Sequence, residues 1–294
     1  MEIQALRRPL TATIEASPKQ VMTTEDLGAL FPKGTWVYLT DVGIDSLDMI
    51  VAAAARLQSL GYVPVPHIPA RRIESLQMLE TRIARLRNEA NVDNVLLIAG
   101  EAKQQMGPYS ASIEILRTDV LSRFGIARVG VAGHPEGSPV ISNAVASSSL
   151  LEKADFASRC DADMYIVTQF GFDAARFIAW ANALPGQGVF LPVHLGMAGP
   201  AKMTTLIKYA AICGVGASMS FLKRRGSALA SLAMGYDPEP IMRASEDHIS
   251  TNPQTMIRSA HVFPFGGLKK SANWLDERGT WDIKKSLYLD ANVV

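Results

Sequence analysis

Eight side chains able to do chemistry stand at or just beyond the ends of short apolar, β-type runs: Glu15, Asp41, His67, Glu101, His134, Glu136, Gln169 and His194. They are carboxyls, imidazoles and an amide, the groups that move protons and hold polar heterocycles. Glu15 follows Thr13-Ile14 and precedes Ser17-Pro18. A carboxyl at such a strand end, in a partly dry pocket, can hand over a proton; its plain alternative is an exposed loop glutamate. Glu101 follows Leu97-Ile98-Ala99-Gly100, where the glycine permits close ligand approach and the carboxylate can pair with a heterocycle, or else cap a helix. His67 and His134 both adjoin prolines and suit donation to a phosphate, hydroxyl or ring carbonyl, or bonding to loop backbone. Gln169 and Phe170 join an amide to an aromatic face, a combination that suits a flat, amide-bearing ring. His194 opens Leu195-Gly196-Met197-Ala198-Gly199-Pro200, a glycine-containing segment before a helix. That segment lacks the G-x-G-x-x-G spacing, which excludes a Rossmann fingerprint. The histidines show no His-x3-His spacing, so no metal site is expected.

These residues share one site only if the elements beneath them converge. Short β runs alternate with segments of helical spacing along the chain, which predicts a parallel sheet, and eight repeats predict a closed (β/α)8 barrel. In such a barrel every strand's C-terminal end opens on the same face. The expected strands are 10–15, 35–40, 62–66, 94–98, 127–132, 163–168, 189–193 and 261–265. The expected helices are 19–30, a segment capped at Asp45-Ser46 and ending near Gly61, 72–89, 110–123, 150–158, 174–184 and 201–213, with interrupted helix over 217–258. Residues 1–294 read as one domain, of a length ordinary for this barrel. Residues 267–294, with Trp274 and Trp281, read as a packed extension.

Formal net charge is +1 and the basic residues are dispersed, so neither nucleic acid nor an anionic membrane is an expected partner. Lys223-Arg224-Arg225 is most simply a solvated helix end, with contact to a phosphate or polyglutamate tail as the alternative. Cys160 and Cys213 lie in apolar stretches without metal-type spacing and read as buried thiols. No apolar run reaches the roughly 20 residues of a membrane span, and the first residues lack a signal-peptide core. The expectation is a soluble cytoplasmic protein, with a homo-oligomer as the prior from closed symmetry.

Five segments together resemble the methylenetetrahydrofolate reductase family, over roughly residues 10–265 and in order. Ile14-Glu15-Ala16-Ser17-Pro18 resembles the family's Phe-Glu-Phe-Phe-Pro, whose glutamate is the proton donor. Val65-Pro66-His67-Ile68 is similar to its third-strand histidine segment, and Leu97-Ile98-Ala99-Gly100-Glu101 to its Leu-Arg-Gly-Asp. Val131-Ala132-Gly133-His134-Pro135-Glu136 matches its Ala-Tyr-Pro-Glu region in part. Ile166-Val167-Thr168-Gln169-Phe170-Gly171-Phe172-Asp173 is similar to its Ile-Thr-Gln-Phe-Phe-Phe-Asp, where the glutamine contacts substrate. The resemblance implies interconversion of 5,10-methylenetetrahydrofolate and 5-methyltetrahydrofolate with NADH or NADPH. It implies Glu15 as proton donor, and Glu101, Gln169, Phe170 and His194 against the folate. Thr40, His67, His134 and Glu136 are then the candidate cofactor contacts. Where flavin-dependent members carry an arginine and a basic Leu-Lys-Arg-Lys stretch, this chain has Ala99 and Asp155-Phe156-Ala157-Ser158. Arg71, Lys153 or Arg159 could substitute for those cations; otherwise hydride passes directly from nicotinamide, as in the flavin-independent members. FAD dependence and a non-catalytic folate-binding barrel are the alternatives.

Overall fold

The computed structural model describes residues 10–100, 104–138, 141–212 and 235–282. Eight parallel strands close on themselves: β1 (Ala12–Ala16), β2 (Trp36–Leu39), β3 (Val63–Pro69), β4 (Asn94–Ile98), β5 (Arg128–Gly133), β6 (Asp163–Thr168), β7 (Val193–Ala198) and β8 (Ile257–Phe263), with β8 pairing back to β1. The expected (β/α)8 barrel is therefore the fold. Helices α1 (Pro18–Thr23), α2 (Leu47–Ser59), α3 (Leu76–Ala90), α4 (Ser112–Leu116), α5 (Val120–Arg123), α6 (Asn143–Ala157), α7 (Ala174–Ala183), α8 (Met203–Ile212) and α9 (Glu239–Thr251) follow the strands in turn. Helix α10 (Leu268–Glu277) and the 3-10 turn Thr280–Asp282 form the part of the C-terminal extension that is described. Ala201–Lys202 and Gly235–Tyr236 add a small antiparallel ribbon.

Strand alternation sorts side chains into two layers. Ile14, Val37, Leu39, Ile68, Val95, Leu97, Val131, Ile166 and Val262 belong to the continuous apolar layer shared with the helices. A separate buried cluster of Tyr38, Val65, Leu96, Tyr165 and Val167 fills the barrel interior. Gly130 of β5 makes this filling possible, since a Cβ there would meet Leu96 and the Tyr165 ring at 2.9 Å. Helix α1 begins immediately after β1: Ser17 accepts from the Gln20 amide while Gln20 Oε1 accepts from the Ser17 amide. That capping box, with Pro18 at the first helical position, fixes the backbone two residues beyond Glu15.

Several boundaries differ from expectation. Strand β7 runs from Val193 to Ala198, not over 189–193, so Leu195-Gly196-Met197-Ala198 is strand and not loop. Gly196 is there because the backbone of β6 passes close: a Cβ would lie 2.2 Å from the Thr168 carbonyl oxygen. Strand β3 continues through His67 to Pro69, and β8 begins at Ile257 instead of 261. The single helix expected over 110–123 is two short ones, broken where Asp119 takes φ 55°. Helix α6 starts at Asn143, seven residues earlier than 150, with Ser142 as its cap. The expectations on Glu101, Cys213, Lys223-Arg224-Arg225 and 283–294 lie outside the described residues.

Candidate active site

Strands β1, β3 and β8 bring three titratable side chains together inside the barrel. Glu15 Oε1 lies 3.4 Å from His67 Nε2 and 3.4 Å from His261 Nε2. At this length neither contact is a fully formed hydrogen bond, and both Nε2 atoms are buried without one. Imidazole–carboxylate contacts of this kind are often long before substrate arrives and tighten in the complex. Glu15 is 14% exposed at its side chain, His261 not at all. Among the described residues, no partner reaches Glu15 Oε2. His261 Nδ1 is 2.8 Å from the Thr13 hydroxyl. Burial pushes the His67 imidazole below its ordinary range; Glu15 opposes that shift and His261 adds to it. His67 thus stands beside the Glu15 carboxyl as a ring whose charging burial disfavours.

Beneath this group the barrel is polar in a way aliphatic barrel cores are not. Tyr38 stacks edge-on against His261 at 4.4 Å between ring centres, and its hydroxyl donates to Tyr165, 3.1 Å away. Tyr165 in turn donates to Asn94 Oδ1 at 2.8 Å. Burial raises both phenols, Tyr38 well above its ordinary value, so both stay neutral. His194 lies against the Tyr165 ring at 4.8 Å and near Trp36 at 5.6 Å. It is the second residue of β7, so it belongs to the barrel floor and not to the strand's C-terminal end, where the shorter strand had placed it. Burial holds its pKa down at about 3, with His261 contributing.

The remaining expected residues are spread around the strand ends. Thr40 follows β2, half-buried, its amide bonded to the Ala16 carbonyl. Gln169 follows β6, half-buried, its amide bonded to the Gly133 carbonyl. Glu136 approaches the same loop, its Oε1 lying where a Cβ on Gly171 would be 2.8 Å away. His134 is held below its ordinary pKa by burial, with Lys153 contributing. Phe170 is 2% exposed and packs with Phe172, Phe263 and Phe265, so its ring belongs to an aromatic cluster beside the mouth. Asp41 does not join the constellation. It turns to Arg82 of α3, 2.6 Å away, and accepts from the Gly43 amide. Gly100 has φ +86°, a conformation that by itself calls for glycine.

Sequence reasoning missed His261, Tyr38, Tyr165 and Thr13. The signal available was the alternation Ser259-Ala260-His261-Val262-Phe263, with polar and aromatic residues on one face of β8 and aliphatic ones on the other. Among the described residues no cluster has the makings of a metal site, and no helix is long and apolar enough to cross a membrane.

No family model matches the chain. Its structure is similar to the crystal structure of a protein from Burkholderia cenocepacia J2315 described as a lyase/mutase, with a TM-score of 0.51 and 12% identity over 99% of this chain and 90% of that one. A looser likeness, with a TM-score of 0.38 and 13% identity, links 65% of this chain to 74% of 3-dehydroquinate dehydratase from Geobacillus kaustophilus HTA426. At such identities the likeness is one of fold.

Proposed function

We propose that this chain is an oxidoreductase that interconverts 5,10-methylenetetrahydrofolate and 5-methyltetrahydrofolate at the barrel mouth, with NADH or NADPH as hydride partner and Glu15 as proton donor. The observation that carries this reading is the placement of Glu15: inside the barrel, one oxygen between two imidazoles and the other without a partner among the described residues. The methylene carbon of the substrate bridges N5 and N10. A proton passing from Glu15 to N10 lets the carbon–N10 bond break, its electron pair staying on N10, and leaves an iminium at N5. The dihydronicotinamide supplies the hydride that turns this iminium into a methyl group, becoming oxidised as it does so. Glu15 then regains its proton from solvent, and the reverse reaction uses it as the base. In this reading Gln169, beside the β6 end, holds the amide edge of the pterin.

The residues do not fit a flavin diphosphate where flavin-dependent members of the family this chain resembles carry their basic residues. Ala99 and Asp155–Ser158 offer no cation there. Of the possible substitutes, Arg159 pairs with Asp155 at the surface, Arg71 donates through Nε to the Ser110 carbonyl, and Lys153 is buried and donates to Ser149. Burial brings the Lys153 pKa down to about 8, so part of its charge is lost near neutrality. Direct transfer requires nicotinamide and folate to be bound together, with the reacting carbons about 3–3.5 Å apart. Initial rates of NADH or NADPH oxidation, measured against both substrates in protein stripped of flavin, test this. Intersecting lines are expected. Parallel lines, or activity only on adding FAD, would assign hydride storage to a flavin, and no oxidation at all would remove the folate reaction.

A further inference from the structure

The two nitrogens of His261 face different partners, and only one of the contacts is short. Nδ1 lies 2.8 Å from the Thr13 hydroxyl, whereas that hydroxyl is 3.3 Å from its other acceptor, the Ala260 carbonyl. Thr13 has a single proton to give: given to the ring it uses the shorter of the two contacts, and given to the Ala260 carbonyl it leaves Nδ1–H to donate to the hydroxyl. A ring that accepts at Nδ1 carries its proton on Nε2, the atom that points at Glu15 Oε1. Thr13 is 5% exposed and His261 fully buried, so both groups are out of bulk solvent. Thr13 and Glu15 are two apart on β1 and therefore share the inward face, while Thr13 is in register with His261 across the β1–β8 pair.

We propose that Thr13 and His261 are a positioning pair for Glu15: the Thr13 hydroxyl fixes the His261 proton on Nε2, which holds Oε1 and leaves Oε2 as the oxygen that exchanges a proton with substrate. Neither residue touches substrate. His67 approaches the same Oε1 from β3, so the two imidazoles flank one oxygen of the carboxyl. The pair would serve any proton transfer at Glu15, but its kinetic test rests on the folate reaction proposed above.

The test is nitrogen-15 NMR of the imidazole rings in the full chain, with the His261 signal assigned by its loss in His261→Gln. Wild type is expected to carry the proton on Nε2. Thr13→Val, which keeps the shape and removes the hydroxyl, should leave a mixture of tautomers, and Thr13→Ser should restore the single one. In the reductase assay, Thr13→Val should lower kcat about tenfold with the folate KM within about twofold, a fraction of what a general acid contributes. Thr13→Ser should recover most of the loss. A wild-type ring protonated on Nδ1 would overturn the proposal even if no variant folds, as would a Thr13→Val protein with unchanged tautomer and kcat. Absence of folate turnover in wild type, with the Nε2 tautomer present, would sink the folate reading and leave the positioning pair standing.

Discussion

At Glu15 the side chain is caught between two buried imidazoles, of which burial keeps His67 from charging freely, and its second oxygen has no partner among the described residues. A carboxyl held by one oxygen in this way loses little on becoming an amide, which keeps the size and the acceptor but has no acidic proton. Glu15→Gln is therefore expected to bind folate as wild type does while turnover falls by about 10²-fold or more. Isothermal calorimetry and stopped-flow on the same preparation decide it; near wild-type turnover in folded protein would move the proton donor elsewhere. In the proposed reaction Gln169 has a different role, to bind the pterin, and its loss would leave a polar ligand group unmatched. Gln169→Leu should weaken folate by about 1–3 kcal/mol and nicotinamide by much less. Equal losses for both ligands would take Gln169 out of the pterin site.

Among the elements, β2 and α3 are joined by a buried ion pair, Asp41 with Arg82, in which both side chains are under a tenth exposed. Removing one partner leaves the other charged and dry. Arg82→Met is expected to cost about 3–5 kcal/mol in urea denaturation, and adding Asp41→Leu to it should recover part of that. A single-variant cost below about 1 kcal/mol would mean that water reaches Asp41 after the change. Sequence marked Asp41 as a mouth residue because it stands at a strand end; its partner is 41 positions away and cannot be read locally. By contrast β4 and β6 were legible to the residue, since Asn94–Ile98 and Asp163–Thr168 are apolar runs bounded by polar residues. Strand β7 was not, because Gly196 looks like a loop until the approach of the Thr168 carbonyl is known. The site divides the same way. Glu15, His67 and Gln169 could be found as strand ends or near-ends, whereas His261 and Tyr165 are mid-strand residues whose inward face is set only when the barrel closes.

Taken as a whole, the molecule carries neutral imidazoles where most barrels carry aliphatic side chains, and that makes its stability depend on acid in a defined window. His194 has an unfolded value of 6.5 and a folded value of about 3, because burial on the barrel floor beside Tyr165 and Trp36 disfavours the charged ring and His261 adds to that. Between these two values the unfolded chain binds a proton that the folded one does not, so stability falls as pH drops. The contribution is complete above about pH 6.5 and shrinks by about 1.4 kcal/mol per pH unit below it, reaching a loss of about 3 kcal/mol near pH 4. His67, shifted the same way, adds to the slope over the upper part of the window. His194→Phe keeps a flat ring against Tyr165 and removes the titration. Unfolding free energies from urea denaturation at pH 7 and pH 4 are therefore expected to lie closer together in His194→Phe than in wild type, by roughly the 3 kcal/mol that His194 contributes. The carboxylates, common to both proteins, cancel in that difference. Equal acid sensitivity in the two would mean that His194 gains a proton in the folded barrel near its ordinary value, and so that water or a counter-charge reaches the barrel floor.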